Sequence, residues 1–294
     1  MIWLFLVIIA QFLNAIVFVI DKYLLTKQIS RPVVYTFYIA TLGLIILLAA
    51  PWGLYLPSAW QLIIALASGV LYSLALLAFF SALKVEEASR IVPYIGGLQP
   101  IFVFAFAYFL VGERLTTWQL VAFELLVLGS LLITSEGKKV NTKALILATT
   151  STFLFAASYA VSKYSYNELG FLCAFIWRSV GAFLAVVPFL FFAKYRTAIF
   201  AKSQPLPKKT QFLFLTNQAL GAIGFFLINY AISLGSVSLI NAMQGVQYAF
   251  LLIITVVISL KAPQIFKEAV NKKILLQKIL AIIIISGGLY LVIK

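Results

Sequence analysis

A chain of 294 residues in which 64% are apolar and 10% charged cannot assemble a water-facing surface, because soluble domains draw on roughly 25% charged residues for theirs. The apolar residues run along the whole length, so a signal peptide or a single anchor on a soluble domain is excluded as the main explanation, and the surface must face lipid. A net charge of +14 would point to nucleic acid in a soluble protein, but here Lys and Arg stand at the edges of apolar runs, where their partners are cytoplasmic water and anionic lipid head groups.

A helix that crosses a bilayer needs about 20 mostly apolar residues, and ten such segments follow one another. The first covers residues 2–20 and stops at Asp21 and Lys22. Residues 32–83 carry no charge, too long a run for one crossing, and Pro51, Gly53, Pro57 and Ser58 mark the hairpin that divides them into spans two and three. Span four covers residues 89–111 and span five residues 117–134, followed by a polar joint at residues 136–141 that divides the chain nearly in half. Spans six (143–162) and seven (170–193) precede a basic stretch at residues 194–211 that has the length of a loop. A second charge-free run, 210–260, folds into spans eight and nine around Gly235 and Ser236, and the tenth span covers residues 274–293. With Cys173 the one cysteine and no histidine, neither an intrachain disulfide nor the usual ligands of a transition-metal site can be built, and no metal or cofactor is expected.

The two halves resemble each other weakly. Val19-Ile20-Asp21-Lys22-Tyr23 lines up with Ala160-Val161-Ser162-Lys163-Tyr164, and then Pro51 with Pro188, Ala82 with Ala231, Gly96 with Gly245, and Gly129 with Gly287. Order and near-equal spacing hold across five spans, and an odd number of spans per half makes the second copy enter the membrane from the opposite side. The expected fold is therefore an all-α integral membrane protein of ten transmembrane helices in two inverted five-helix repeats, residues 1–137 and 138–294. Charge supports the inversion. The loops after spans one, three, five, seven and nine hold 18 of the 22 Lys and Arg, so the positive-inside rule puts them in the cytoplasm and both termini outside. A multi-pass protein of the plasma (inner) membrane follows.

Ala82, Ala88-Ser89, Gln99-Pro100 and Gly112-Glu113-Arg114-Leu115, followed by a glycine near the end of span five, resemble the EamA-like pattern of the drug/metabolite transporter superfamily. Lys267-Glu268 and Gly287-Gly288 look like the same elements in the second half. The resemblance implies a ten-helix, inverted-repeat secondary transporter that moves amino acids, nucleotide sugars, drugs or other metabolites. It also implies both termini in the cytoplasm, against which the Lys and Arg distribution speaks.

Arg178 is the first candidate for the substrate site. A guanidinium well inside a span costs a few kcal/mol on insertion scales and normally faces a polar cavity or a partner; it would hold a carboxylate or phosphate, and the family resemblance implies an arginine at this place. A structural arginine that snorkels to a carbonyl is the plainer reading. Glu124, the one carboxylate well inside a span, is a candidate proton carrier if burial raises its pKa, or a packing or subunit-contact residue that a homodimer would use. In spans four and nine, Tyr94 and Gln99 and then Asn241, Gln244, Gln247 and Tyr248 are candidate cavity residues. Asn241, Gln244 and Tyr248 fall at helical spacing, beside glycines and a proline that loosen the helix. Interhelical hydrogen bonding is the alternative for each. Asn14 is a weaker instance, and Trp177 is a candidate aromatic wall, whereas Trp3, Trp52, Trp60 and Trp118 near span ends read as interfacial anchors.

With no histidine, no activated nucleophile and no paired carboxylates at depth, an enzyme is not expected. The expected function is carriage of a small metabolite by alternating access, with a flippase of a lipid-linked substrate or a non-transporting scaffold as alternatives.

Overall fold

The structure, a computed structural model, describes residues 2–25, 31–86, 88–134, 141–201, 208–261 and 272–293. The joint at residues 136–140 where the two halves would divide, Glu87 and the pair Lys267-Glu268 lie outside them. Among the described residues every regular element is helical.

Helix α1 (Ile2–Leu25) is followed by α2 (Pro32–Gly43), whose first turn carries the proline a helix start tolerates, and by a 3-10 segment, Leu44–Trp52, that holds Pro51. α3 (Ala59–Val85) begins in a capping box. Ser58 Oγ accepts from the Gln61 backbone N–H at 3.5 Å and Gln61 Oε1 accepts from the Ser58 N–H at 3.3 Å, pairing two donors that a helix start leaves open. α4 (Ala88–Phe106) runs into one π turn, Ala107–Val111. Gly112 closes it at φ 71°, in the left-handed region that a glycine enters without strain, and this is the physical role of the glycine in the Gly112-Glu113-Arg114-Leu115 motif. α5 (Thr117–Thr134) starts behind a reciprocal Thr116–Gln119 cap.

In the second half, α6 (Thr142–Leu169) is capped by Asn141 and ends at Gly170, φ 74°, which turns the chain directly into α7 (Phe171–Leu184). A 3-10 segment, Val187–Phe191, and the short α8 (Ala193–Ile199) follow. α9 (Lys208–Leu234), α10 (Val237–Ala242), α11 (Gln244–Lys261) and α12 (Lys272–Ile293) complete the chain. Eight helical stretches among the described residues are long and apolar enough to cross a membrane, and two shorter apolar ones, Thr117–Leu132 and Ile279–Ile293, lie in α5 and α12. The chain is a multi-pass, all-α membrane protein.

Four boundaries differ from expectation, the first being that α1 continues past Asp21 and Lys22 to Leu25. α6 does not stop at residue 162, because Lys163 and Glu168 are carried within the helix and the stop comes from Gly170. The basic stretch at residues 194–211 is not all loop, since α8 occupies its start. The expected span nine is broken at Met243, between α10 and α11.

The chain folds as two compact units, each drawn from both halves of the sequence. One holds α1, α5 and α9 to α12; within it α1 packs on α9 and α11, and α5 packs on α12 and α11. The other holds α2 to α4 and α6 to α8; within it α6 packs on α3 and α4, and α3 packs on α7. Apolar helices in lipid gain little from burying apolar surface, so close packing at small residues and hydroxyl bonds between helices hold such units together. In the second unit Ser73 Oγ donates to the Ala182 carbonyl at 2.8 Å, Ser151 Oγ to Ala75 O at 2.9 Å and Ser158 Oγ to Ser68 O at 2.7 Å. α3 and α7 meet backbone to backbone. A Cβ placed on Gly69 would stand 1.8 Å from the Arg178 carbonyl oxygen, and one on Gly181 would stand 2.1 Å from the Leu66 carbonyl oxygen. Leu48, Phe109, Phe191 and Phe212 are exposed, as lipid-facing side chains must be, and so are Trp52, Trp60 and Trp118 at helix ends, where the indole ring suits the interface.

Candidate functional site

Arg178 lies in α7, and the glycine contacts just described fix its backbone against α3. Its side chain is 2% exposed. Nε donates to Ser162 Oγ of α6 at 3.0 Å, and the guanidinium carbon sits 4.4 Å from the centre of the Tyr72 ring of α3. An aromatic face stabilises a cation electrostatically, by about 2 kcal/mol or more when water is excluded. Ser162 also hydrogen-bonds the Tyr166 side chain, and Tyr159 and Tyr166 both lie within range of the guanidinium charge. Tyr159, Ser162 and Tyr166 follow one another at three and four residues on α6 and so share one face. The result is a guanidinium set among hydroxyls and aromatic rings, which suits an anionic group needing both charge and hydrogen-bond donors. Ser162 and Tyr166 are buried, while Tyr72 and Tyr159 keep part of their surface exposed. The sequence reading missed all four. Their signal was the spacing on α6, masked by how common Tyr and Ser are in membrane helices.

Among the other candidates of this unit, Tyr94 stands apart from Arg178. Tyr94 shares a 2.9 Å hydrogen bond with Thr149 of α6, and Thr149 and Ser162 are about 20 Å apart along that helix at 1.5 Å per residue. Gln99 is buried in α4 just before Pro100. Trp177, next to Arg178, donates its indole N–H to the Tyr55 carbonyl at 3.0 Å, and Cys173 Sγ approaches the same carbonyl at 3.5 Å. That bond ties the segment before α3 to α7, which is an anchoring contact.

In the other unit the break at Met243 separates Asn241 from Gln244. Asn241 is buried and gives its amide N–H to the Val237 carbonyl at 2.9 Å. Gln244 begins α11 with Oε1 buried and without a hydrogen-bond partner among the described residues. Tyr248 is buried one turn on, and Gln247 is half-buried. Asn14 of α1 is half-buried over Gly224 of α9. Glu124 is exposed, on the face of α5 that carries Val121 and Leu128 and away from the Ala122, Leu126 and Gly129 face that meets α12. Within the single chain that face is open, which fits the packing or subunit-contact reading of Glu124. A carboxylate not singled out from sequence, Asp21 of α1, instead accepts a 2.6 Å hydrogen bond from the Asn217 amide of α9.

Among families of known proteins, the EamA-like transporter family matches residues 1–135. No curated protein matches the chain. A solved structure described only as "Crystal structure of protein" is 14% identical, with a TM-score of 0.67 over 99% of this chain and 95% of that one. At that identity the likeness shows the fold alone.

Proposed function

We infer, from a chain whose residues 1–135 belong to the EamA-like transporter family, that the protein is a ten-helix secondary transporter moving a small metabolite with a carboxylate or phosphate group by alternating access. One observation carries the substrate class: Arg178, buried within a membrane helix and faced by Ser162 and Tyr72. A fixed cation at that depth is kept against its insertion cost when it meets an anion. Amino acids, nucleotide sugars and organic phosphates all qualify.

Two sets of contacts support the inverted repeat. Ala82 and Ala231 are both fully buried and hold the same place in helices of equal length, 27 residues each. A Cβ on Gly129 would meet Ile285 and the Ala281 carbonyl, and one on Gly288 would meet Leu126 and the Ala122 carbonyl. Pairing 129 with 288, 126 with 285 and 122 with 281 exchanges the two sets, as a two-fold axis would. It also moves the partner of Gly129 one residue on from Gly287. In the same register α1 with α9 and α11 corresponds to α6 with α3 and α4.

On this reading the protein sits in the plasma membrane with its basic loops against anionic lipid and both termini outside. A reporter fused at Lys294 and active only in the cytoplasm stays silent; an active fusion reverses the orientation. The transport reading is tested on purified full-length protein by melting-temperature shifts against amino acids, sugar nucleotides, organic phosphates and neutral sugars. One anionic class stabilises it and exchanges saturably across proteoliposomes. Stabilisation by neutral or cationic compounds alone, or binding with no flux, overturns it.

A further inference from the structure

We propose that Asp21 and Asn217 form the proton-binding site of this protein, the place where a coupling proton is taken up and released. The coupling role rests on the transporter reading; the proton site itself does not. α1 and α9 pack antiparallel along a seam of small and polar residues: Trp3 lies on Gly235, Asn14 on Gly224, Val17 beside Gly221, and Asp21 against Asn217. Numbers fall on one helix as they rise on the other, in steps close to whole turns. Asp21 therefore faces α9 as part of the seam and is not a frayed end of the span.

The pair has an unusual balance of donors and acceptors. Asn217 Nδ2 donates to Asp21 Oδ1 at 2.6 Å, and Asn217 is 1% exposed with Oδ1 lacking a hydrogen-bond partner among the described residues. A carboxylate and an open amide oxygen are thus held together in a membrane helix pair, and both attract positive charge. The group set against Asp21 is a neutral amide, which leaves the carboxylate charge uncompensated by it, and the least costly way to remove such a charge is to protonate it. The amide suits both states. As found, it donates N–H to the carboxylate; turned by half a rotation, its carbonyl accepts from the carboxylic O–H, so Asp21 keeps a hydrogen bond whether charged or neutral. A divalent metal ion such as Ca²⁺ would want six or more oxygens, more than these two side chains supply.

Among the described side chains of the packed elements, Asp21 is the one carboxylate on this seam. On α9, Lys208 is exposed about 13 Å before Asn217 at 1.5 Å per residue, and Tyr230 lies further along beyond it. On α11, Tyr248 is buried. The side chains of Lys22, Tyr23, Lys209 and Lys261 lie outside the described residues. In the register that matches residues 19–23 with 160–164, Asp21 stands where the other half has Ser162, the hydrogen-bond partner of Arg178. One place in the repeat thus supports the arginine of the proposed anion site in one half and the proton in the other.

Infrared titration of the purified full-length protein tests this without a substrate. Lowering the pH from about 8 to about 5, a range above the ordinary aspartate value, raises a protonated-carboxyl band in the native protein. That band is missing in Asp21→Asn, moves in frequency in Asp21→Glu, and changes its midpoint in Asn217→Ala. Replacing choline by sodium at fixed pH leaves it unchanged. A native protein with no such band, or one identical in Asp21→Asn or Asp21→Glu, overturns the proposal, and loss of the band to sodium overturns the proton assignment. None of these results bears on the anionic-ligand experiment, so the two readings fail separately.

Discussion

Arg178→Ala removes the stabilisation by anionic ligands while leaving the protein folded. The guanidinium is the charged donor of the proposed site, and the groups around it, Ser162, Tyr72, Tyr159 and Tyr166, are neutral hydroxyls and rings. A hydrogen bond to a charged group contributes about 1.5–3 kcal/mol, so the variant binds its ligand on the order of 10- to 100-fold more weakly. Without ligand, opposing contributions leave a smaller change. An arginine at the centre of a span carries an insertion cost of about 2.5–3.5 kcal/mol, which its removal relieves, while the bond to Ser162, the contact over the Tyr72 ring and the packing of the side chain are lost. Arg178→Lys separates the two contributions. It keeps the charge and loses the planar fork that bonds Ser162 while lying over Tyr72, so its affinity falls between the native protein and Arg178→Ala. A purely structural arginine gives the opposite pattern, a lowered melting temperature in the ligand-free variant with an unchanged ligand shift. That pattern, read from thermal melts with and without the stabilising anion, would remove Arg178 from the site.

How much of this was legible in the sequence follows from what hydropathy can and cannot register. A charge in an apolar run stands out against every neighbour, so Arg178 is found from sequence. Its partners are not, because Tyr72 lies on a different helix more than 100 residues away and the membrane gives hydroxyls and rings on the lipid side nearly the same sequence signal as those on the protein side. The same blindness leaves Glu124 open, in sequence, between a proton carrier and a packing or subunit contact. Ala122, Leu126 and Gly129 face α12 while Val121, Glu124 and Leu128 do not, and to lipid or to protein these faces look alike. Charge is also a poor marker of helix ends. Lys163 sits one residue past the expected end of span six, but a long stem lets an ammonium reach polar surroundings from within a helix, and α6 continues to the glycine that can turn. Asp21 reads as an end marker for the same reason, and 196 residues separate it from the amide that bonds it. Turn chemistry fared better: Pro57-Ser58, Gly112, Gly170 and Ser236 all stand where a helix starts or stops.

The second large effect belongs to the α3–α7 contact that holds the arginine in place. Gly69→Ala puts a methyl carbon 1.8 Å from the Arg178 carbonyl oxygen and 2.5 Å from the Ala182 nitrogen, and Gly181→Ala puts one 2.1 Å from the Leu66 carbonyl oxygen. These are backbone atoms of a continuous helix, so no side chain can swing aside, and the two helices must separate by more than an ångström to restore ordinary contact. Overpacking costs about 1–3 kcal/mol where side chains can adjust, and a rigid backbone contact belongs at the upper end. Separation also stretches the 2.8 Å bond from Ser73 to the Ala182 carbonyl and lifts Arg178 off the Tyr72 ring. Each variant is therefore expected to lose several degrees of melting temperature and, in the fraction that folds, to lose the response to anions as Arg178→Ala does. Gly43→Ala and Gly287→Ala serve as controls, since a Cβ at either meets nothing within 4 Å and alanine is the better helix former by about 1 kcal/mol. If Gly69→Ala melts with those controls and still responds to ligand, α3 and α7 do not meet at these glycines, and the backbone of Arg178 must be positioned by α6 instead.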